Sequence, residues 1–295
     1  MKLGTNDIGS VYLGTNAVQK VYLGANEVWS SYAYLLNDYS GAAAAYSLRL
    51  LRSAYTGDAI RVRRASDNTE QDIGFVANEL DTSALTTFCS GTDGFVKTWY
   101  DQSGNGYDAT QTTSANQPQI VSSGSVITEN GKPSAQFDGS NDFLTSSGFG
   151  TGEQRSVFFA MRGNGDGSGY ENYFIFLANL PSNLGNFMQL YSTDYTSVAI
   201  NNFPTASLDI TSTTALDTQQ IVSLLKTSTT SNIYQNSINT GSGSGSQSLE
   251  NQLSIGNFST NFAFFKMQEM IIYNADQSSN RTGIETNINN FYSIY

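Results

Sequence analysis

Apolar and polar residues alternate over most of this chain in short runs, and Gly, Asn, Asp and Ser separate the runs. Alternation with a period of two places every second side chain on one face of a β-strand. Many short strands joined by turn residues are typical of two antiparallel sheets that pack face to face. The pattern therefore predicts a two-sheet β-sandwich. Its strands are predicted at 60–64, 95–100, 134–137, 156–161, 173–177, 187–191, 198–201, 220–226, 231–235, 252–255 and 262–274.

Two segments show instead the 3.6-residue spacing of an amphipathic helix. The first, 42–55, begins with four consecutive alanines and is followed by Gly57, a residue that ends helices. The second, 279–292, repeats apolar residues at helical spacing, with Ile284 and Ile288 among them. The sequence therefore predicts two short helices in addition to the strands.

The start of the chain contains one ten-residue phrase three times. Each copy combines a Gly-Thr-Asn or Gly-Ala-Asn step with a β-branched and aromatic run, which predicts a strand and a tight turn. These strands are apolar on both faces, and so short a segment cannot bury two faces alone. Residues 1–32 are therefore predicted to form a β-meander for anchoring or oligomerisation, separate from a sandwich at 33–295. An extra sheet layer packed on the same chain is the alternative. The predicted assembly residues are Leu3, Tyr12, Leu13, Tyr22, Leu23 and Trp29.

Composition narrows the function classes. The chain of 295 residues carries a net charge of −11, and phosphate binding needs clustered cations, so we expect no nucleic-acid partner. The one dense basic run, Arg61, Arg63 and Arg64, is interpreted as a solvated strand face. The absence of histidine excludes Ser-His and Cys-His catalysis, and the single Cys89 excludes an intrachain disulfide. No signal peptide or apolar span is recognised, so neither secretion nor membrane insertion is expected.

The repeated phrase Leu-Gly-Thr-Asn-x-Val-x-x-Val-Tyr resembles the short amino-terminal repeats of virion proteins of tailed bacteriophages. In those proteins the repeats precede a surface-exposed β-domain. The resemblance covers about the first thirty residues. It implies a fibre, spike or decoration protein that is assembled in the host cytoplasm and displayed on the virion surface.

Phrases from about Tyr34 to the end of the sequence resemble two further groups. Those at 46–57, 61–67 and 98–106 resemble the catalytic domain of fungal-type α-L-arabinofuranosidase B. Those at 130–144, 253–256 and 267–273 resemble the broader concanavalin A-like and laminin-G-like sandwiches. The resemblance implies an all-β fold, an antiparallel jelly-roll β-sandwich of the concanavalin A-like lectin and glucanase type, with a concave sheet suited to carbohydrate.

The arabinofuranosidase resemblance also implies where catalytic carboxylates should lie. A retaining glycosidase needs two carboxyl groups about 5 Å apart. The family has its nucleophile in an Asp-x-Glu stretch in mid-domain and its acid in a Gly-Gly-Asp near the end. Segment 186–202 contains no Asp-x-Glu, and Asn257 stands where Gly-Gly-Asp would fall. We therefore expect that the chain is not an enzyme and assign no catalytic residue. A divergent hydrolase that uses Asp194 or Asp209 is the alternative.

Two loops rich in Asp and Asn offer oxygen ligands of the kind that Ca²⁺ prefers. The candidate ligands are Asp101, Asn105, Asp138, Asn141 and Asp142. Asp and Asn beside Gly are also what tight turns require, and this structural interpretation stays open. Ca²⁺ is the only cofactor that the sequence suggests.

A glycan site needs aromatic faces for the C–H surfaces of a sugar and polar groups for its hydroxyls. The candidate residues are Tyr170, Glu171, Tyr191, Tyr195 and Asn201. Alternating aromatics in a sandwich strand are also typical of the core, which is the alternative interpretation.

Together these patterns predict a bacteriophage structural protein. It would be a tail fibre, head fibre or spike that binds host-surface polysaccharide as its receptor without cleaving it. The expected partners are copies of the chain, with a homotrimer favoured, and other virion proteins through residues 1–32. A decoration protein with no specific ligand and an arabinofuranosidase-like hydrolase are the alternative functions.

Overall fold

The structure is a computed structural model. It describes residues 33–148, 154–163, 217–244, 252–257 and 262–295 with their side chains, together with Gly150 and Gly152. Elsewhere it gives the backbone of strands alone. At the start of the chain these strands pair in couples, β1 with β2, β3 with β4 and β5 with β6. They are β1 (Lys2–Leu3), β2 (Asn6–Asp7), β3 (Val11–Leu13), β4 (Asn16–Val18), β5 (Lys20–Leu23) and β6 (Asn26–Ser30).

The rest of the chain is mostly strand. Its first strands are β7 (Ala44–Ser47), β8 (Ile60–Arg64), β9 (Glu70–Ile73), β10 (Phe75–Val76), β11 (Glu79–Leu80), β12 (Gly94–Trp99), β13 (Ala109–Thr110), β14 (Gln119–Ser122), β15 (Ser125–Val126), β16 (Thr128–Glu129), β17 (Lys132–Pro133), β18 (Ala135–Asp138) and β19 (Leu144–Ser147). Its later strands are β20 (Arg155–Gly163), β21 (Asn172–Leu177), β22 (Met188–Ser192), β23 (Val198–Asn201), β24 (Ile210–Ser212), β25 (Gln220–Lys226), β26 (Thr230–Gln235), β27 (Ile238–Ser244), β28 (Gln252–Ile255), β29 (Asn257–Phe258), β30 (Asn261–Phe262) and β31 (Phe264–Tyr273). The helices are α1 (Leu35–Asp38), α2 (Thr82–Phe88) and α3 (Arg281–Tyr292), with a 3₁₀ turn at Ser114–Asn116.

Strand β31 is the centre of the first sheet. It pairs with β18 through its first half, with β7 through its second half, and with β20 along its length. From β18 the sheet continues through β14, β12 and β8 to β9. From β20 it continues through β25 and β26 to β27. All of these pairings are antiparallel.

The second sheet runs from β13 through β19, β28, β21, β22 and β23 to β24, and it joins the first where β13 pairs with β12. The hydrophobic core lies between the sheets, since Phe137 and Phe265 of the first pack in one cluster with Leu253 and Ile255 of the second. The rings of Phe137 and Phe265 are stacked with their centroids 4.4 Å apart. The predicted all-β antiparallel sandwich is confirmed.

Helix α3 covers the outer face of the first sheet. Its residues Ile284, Ile288 and Tyr292 form a second buried cluster with Phe158 of β20 and Ile271 of β31. Burying an isoleucine side chain in this way stabilises the fold by about 1.5–3 kcal/mol. The helix predicted at 279–292 is confirmed. No helix in the described part of the chain has the length and hydropathy needed to cross a bilayer.

The helix predicted at 42–55 is wrong, because the segment contains strand β7 followed by irregular chain. Ala45 and Ala44 pair with Ile271 and Ile272 of β31, and both alanines are fully buried. Ala44 faces the core between the sheets, whereas Ala45 faces the cluster beneath α3. A strand buried on both faces is a continuous apolar run, and the pairing of this run with β31 overrides the high helix propensity of alanine.

Candidate functional site

The loop at 100–106, which follows β12, is fixed by the carboxylate of Asp101. Its Oδ1 accepts hydrogen bonds from the backbone N–H groups of Ala45 and Ser103, both at 2.8 Å. Its Oδ2 accepts from the Ser103 hydroxyl at 2.7 Å and from the Tyr107 backbone N–H at 3.1 Å. Asp101 is buried. Both oxygens of this predicted calcium ligand are therefore engaged by protein donors.

The neighbouring amides tie the same loop to the chain around β7. Gln102 donates through Nε2 to the carbonyls of Ser47 and Arg49, and its Oε1 accepts from the backbone N–H of Leu51. Asn105 donates through Nδ2 to the carbonyl of Ala43 at 3.0 Å. These bonds agree with the turn-forming interpretation of the loop. Calcium binding by Asp101 and Asn105 stays a prediction.

A second Asp-rich turn, 138–142, follows β18. Asp138 Oδ1 accepts from the backbone N–H groups of Ser140 at 2.8 Å, Asn141 at 3.1 Å and Asp142 at 3.3 Å. Asp142 Oδ2 accepts in return from the Asp138 backbone N–H at 3.0 Å. Burial and the neighbouring charge of Asp138 raise the pKa of Asp142 to about 7. Asp142 therefore holds a proton over much of the acidic range, and calcium binding at this turn stays a prediction.

A cavity of about 430 Å³ opens beside this turn. One wall of the cavity is a row of side chains from four neighbouring strands. Phe95 of β12 lies opposite Arg63 of β8 on one side and opposite Gln119 of β14 on the other. Gln119 in turn lies opposite Gln136 of β18. Residues directly opposite on paired strands share a face of the sheet. Val96 and Phe137, which adjoin this row in sequence, point into the core. Asp138 and Asp142 also line the cavity, as does the amide of Gln117.

Arg63 is the best-held side chain of this cavity. It donates through Nε to Gln117 Oε1 at 2.7 Å, through Nη1 to Asn68 Oδ1 at 2.9 Å, and through Nη2 to the Ser114 carbonyl at 3.0 Å. Its guanidinium lies 4.9 Å from the centroid of the Phe95 ring, a cation–π contact. Burial lowers the pKa of this arginine. Arg63 therefore lines the cavity in a fixed position. The residue is 8% exposed, so the interpretation of this arginine as part of a solvated strand face is wrong.

The sequence missed this cavity for a structural reason. Alternation along β8, β12, β14 and β18 indicates that their polar side chains share a side, but it does not say which strands are neighbours. Gln119 and Gln136 meet only because β14 pairs with β18. The one sequence feature that could have indicated the cavity is the recurrence of glutamine at 117, 119 and 136, in or beside strands.

Asn257 lies half-buried after β28, where the arabinofuranosidase resemblance places a carboxylic acid. Its Oδ1 accepts a hydrogen bond from the Ser254 hydroxyl. An amide neither donates nor accepts a proton as a carboxyl group does at neutral pH. Asn257 therefore takes no part in acid–base chemistry.

The other predicted site residues lie outside the part of the chain whose side chains are described. For glycan binding these are Tyr170, Glu171, Tyr191, Tyr195 and Asn201, and for hydrolysis they are Asp194 and Asp209. For assembly they are Leu3, Tyr12, Leu13, Tyr22, Leu23 and Trp29. Among the described side chains, no three His, Cys, Asp or Glu residues gather as metal ligands.

Residues 35–136 match the sequence profile of the α-L-arabinofuranosidase B catalytic domain. One curated relative, α-L-arabinofuranosidase B of Emericella nidulans, is 45% identical over 74 residues, which cover 23% of this chain and 14% of that protein. The resemblance seen in the phrases 46–57, 61–67 and 98–106 is thereby confirmed for this part of the chain.

Solved structures extend the similarity in fold. A GH54 α-L-arabinofuranosidase soaked with a cyclic sulfate inhibitor aligns with 86% of this chain at a TM-score of 0.67 and 19% identity. A glutamate-to-glutamine mutant of a GH54 α-L-arabinofuranosidase, soaked with 4-nitrophenyl α-L-arabinofuranoside, aligns with a TM-score of 0.68 over 86% of this chain at 19% identity. In both cases the alignment covers 64% of the solved chain, so this chain spans less than two thirds of these relatives.

Two predictions are corrected by these findings. The prediction that the chain is not an enzyme is wrong, because the profile, the curated relative and these solved structures all point to α-L-arabinofuranosidases, an enzyme family. The interpretation as a virion structural protein, with tail-fibre or head-fibre and receptor-binding roles, is overturned by the same findings. The absence of the Asp-x-Glu and Gly-Gly-Asp motifs does not show that a catalytic carboxyl pair is absent. Such a pair is defined by the distance between its two carboxyl groups and not by the motifs around them.

Proposed function

We propose that residues 35–295 form a glycoside hydrolase domain that cleaves α-L-arabinofuranosyl linkages. The observation that carries this proposal is the match of residues 35–136 to the catalytic-domain profile. The alignment of the fold with GH54 structures over 86% of the chain supports it. Fold alone does not assign a reaction, because the reaction depends on the chemical groups of the site.

The matched segment supports the scaffold of the proposed hydrolase. Arg49 in this segment donates through Nε to Glu269 Oε2 of β31 at 2.6 Å and through Nη2 to Glu269 Oε1 at 2.9 Å. Both side chains are buried, and Ser47 and Tyr292 also donate to this carboxylate. Removing one partner of such a pair leaves a buried charge uncompensated. The phrase 46–57 therefore serves to join β7 to the central strand.

All five described glutamates and two of the described aspartates are paired with cations. The pairs are Glu269 with Arg49, Asp72 with Arg61, Asp67 with Arg64, Glu70 with Lys97, Glu79 with Lys132, Glu129 with Arg162 and Lys266, and Glu285 with Arg281. A neighbouring cation favours the ionised carboxylate and so opposes a role as general acid. The described glutamates are therefore unsuited to the acid role. We assign one reacting carboxyl group to segment 164–216, whose acidic residues are Asp166, Glu171, Asp194 and Asp209, and we retain Asp194 and Asp209 as the candidates.

The proposed reaction needs two carboxyl groups. One carboxylate attacks the anomeric carbon while the other, protonated, gives its proton to the departing glycosidic oxygen. The second group, now a carboxylate, removes a proton from the water that releases the sugar from the first. Both groups return to their starting state, and the net change is hydrolysis of one glycosidic bond.

The test is release of 4-nitrophenol from 4-nitrophenyl α-L-arabinofuranoside by the full chain, across pH 4 to 8. We expect Asp194→Asn or Asp209→Asn to lower kcat about 10²–10⁴-fold, the usual contribution of an acid–base group. Asp217→Asn is the matched control, because Asp217 is exposed at the border of the same segment. Absence of release over a panel of α-L-arabinofuranosides would overturn the proposed reaction. Full activity in both variants would overturn the residue assignment alone.

We also propose that residues 1–32 form a module separate from the sandwich at 33–295 and that this module mediates self-association. Its support is the apolar character of both faces of the repeats and their pairing as local hairpins. The measurement is the mass in solution of the full chain and of a fragment beginning at Tyr34. An oligomeric full chain with a folded monomeric fragment is expected. A fragment that fails to fold would favour an extra sheet layer packed on the same chain.

A further inference from the structure

The cavity beside the turn at 138–142 exposes polar atoms that the protein does not use. Within the described residues the side-chain amide of Gln136 has no hydrogen-bond partner. Gln119 donates through Nε2 to the Val121 carbonyl at 3.0 Å, and its Oε1 has no partner in the described part of the chain. These two glutamines are directly opposite on β14 and β18, so their Cβ atoms are about 5 Å apart. Two amides therefore reach the same cavity side by side.

The opposite end of the cavity is rigid. Arg63 is held by three acceptors and by the ring of Phe95, as described above. A guanidinium has five N–H donors, so two remain after these three bonds. Phe95 adds an apolar surface within the row of polar groups. Donors fixed before a ligand arrives lose little side-chain entropy on binding.

The charges of the cavity indicate a neutral ligand. Arg63 supplies a positive charge, Asp138 a carboxylate, and Asp142 a second carboxyl group that is protonated below about pH 7. Neither a phosphate nor an amine therefore meets a surface of one sign. Asp138 Oδ1 is occupied by its own turn. The remaining contacts on offer are amide donors and acceptors, two N–H groups and an aromatic ring. This mixture suits a molecule that carries many hydroxyls and has apolar C–H surfaces.

We propose that this cavity is a binding subsite for a neutral saccharide, one or two sugar rings in size. Its volume of about 430 Å³ lies at the lower end of small-molecule sites. The described residues that line it all lie between Arg63 and Asp142. The inference goes beyond the proposed function, since binding here requires no reaction.

The experiment follows the side-chain amide resonances of the full chain by NMR while sugar is added. The probes are L-arabinose, D-xylose and xylobiose, with D-glucuronate and D-glucosamine as charged counterparts. The amide signals of Gln119 and Gln136, assigned by their loss in Gln119→Ala and Gln136→Ala, are expected to shift with a neutral sugar and to respond weakly to the charged ones. Gln136→Ala is expected to weaken binding about fivefold, as for one lost hydrogen bond.

Gln71→Ala is the matched control, because Gln71 is an exposed glutamine of β9 in the same sheet and does not line the cavity. Its affinity for the neutral sugar is expected to equal that of the unmodified chain. No shift of either amide up to the solubility of all three neutral sugars would overturn the inference. So would binding that Gln136→Ala leaves unchanged.

Hydrolysis of the aryl arabinofuranoside, measured on the same preparations, separates this inference from the proposed function. Amide shifts without hydrolysis would support the subsite and count against the reaction. Hydrolysis without amide shifts would support the proposed reaction and count against the subsite.

Discussion

The loop at 100–106 and the turn at 138–142 contain the same residue types, Asp, Asn, Ser and Gly, but their carboxylates have different partners. Asp101 reaches Ala45, which lies 56 positions away in sequence. Asp138 bonds only to N–H groups of its own turn among the described residues. The first carboxylate joins two distant segments, whereas the second shapes a local turn beside a cavity.

This difference shows what separates a structural carboxylate from one available to a ligand. A hydrogen bond between residues distant in sequence forms only when the chain has folded. Its loss therefore lowers the free energy of unfolding of the whole domain. A bond within a turn shapes the backbone locally and leaves the second oxygen of the carboxylate for other partners. Both places share Asp, Asn, Ser and Gly, and the carboxylates differ in burial and in the sequence separation of their partners.

The largest expected effect is that of Asp101→Ala. This change leaves four donors, including the N–H groups of Ala45 and Tyr107, without the buried carboxylate that accepts from them. We expect the free energy of unfolding to fall by about 3–5 kcal/mol, since each unsatisfied buried group costs about 1–3 kcal/mol. Urea denaturation measures it. A loss equal to that of Asp138→Ala would remove the contrast between the two carboxylates.

The next effect concerns pH and Asp142. In the folded state its pKa is raised to about 7, whereas an unfolded aspartate releases its proton near pH 4. Between these values the folded chain holds more protons than the unfolded chain, so this group lowers the free energy of unfolding as pH rises. Asp142→Asn removes that slope and is expected to be more stable than the unmodified chain at pH 8 by up to about 4 kcal/mol, because about three pKa units, at about 1.4 kcal/mol each, separate the two states.

Urea denaturation at pH 4.5 and pH 8 tests this expectation. The stability difference between the variant and the unmodified chain should grow from the lower to the higher pH. A difference that does not change with pH would show that Asp142 ionises normally in the folded chain.

The smallest expected effect is that of Asp138→Ala on stability. It removes one acceptor from a turn that is exposed, and the N–H groups of Ser140 and Asn141 can bond to water instead. We expect a loss of about 1 kcal/mol, as for other local side-chain caps. Thermal unfolding of both variants gives the ratio of the stability lost in Asp138→Ala to that lost in Asp101→Ala. A larger loss in Asp138→Ala would contradict the expected order.

Sequence reasoning succeeded where local pattern decides structure. The predicted strands at 60–64, 198–201, 220–226 and 252–255 have the observed bounds, because short apolar runs and flanking turn residues mark them. It failed at 42–55, where the partner of the segment is a strand more than two hundred residues later. Ser47 and Glu269, which meet there, are 222 positions apart.

The candidate site was harder to predict from the sequence than the strands were. The cavity depends on β8, β12, β14 and β18 lying in that order across the sheet, and strand order is not encoded in the period of any one strand. Gln117 reaches the cavity from the chain just before β14. Residue type alone identified the turn at 138–142 as polar, but it did not place Arg63 and Phe95 beside it.

The position of β31 as central strand has a consequence for the order of folding. Its partners β7, β18 and β20 are synthesised earlier, and each has an unpaired edge until 264–273 has left the ribosome. Such non-local pairing slows folding and prolongs the exposure of strand edges to other chains. A nascent chain arrested before Phe264 is therefore expected to bind chaperones or aggregate, and addition of the last strand and α3 converts it to the folded domain.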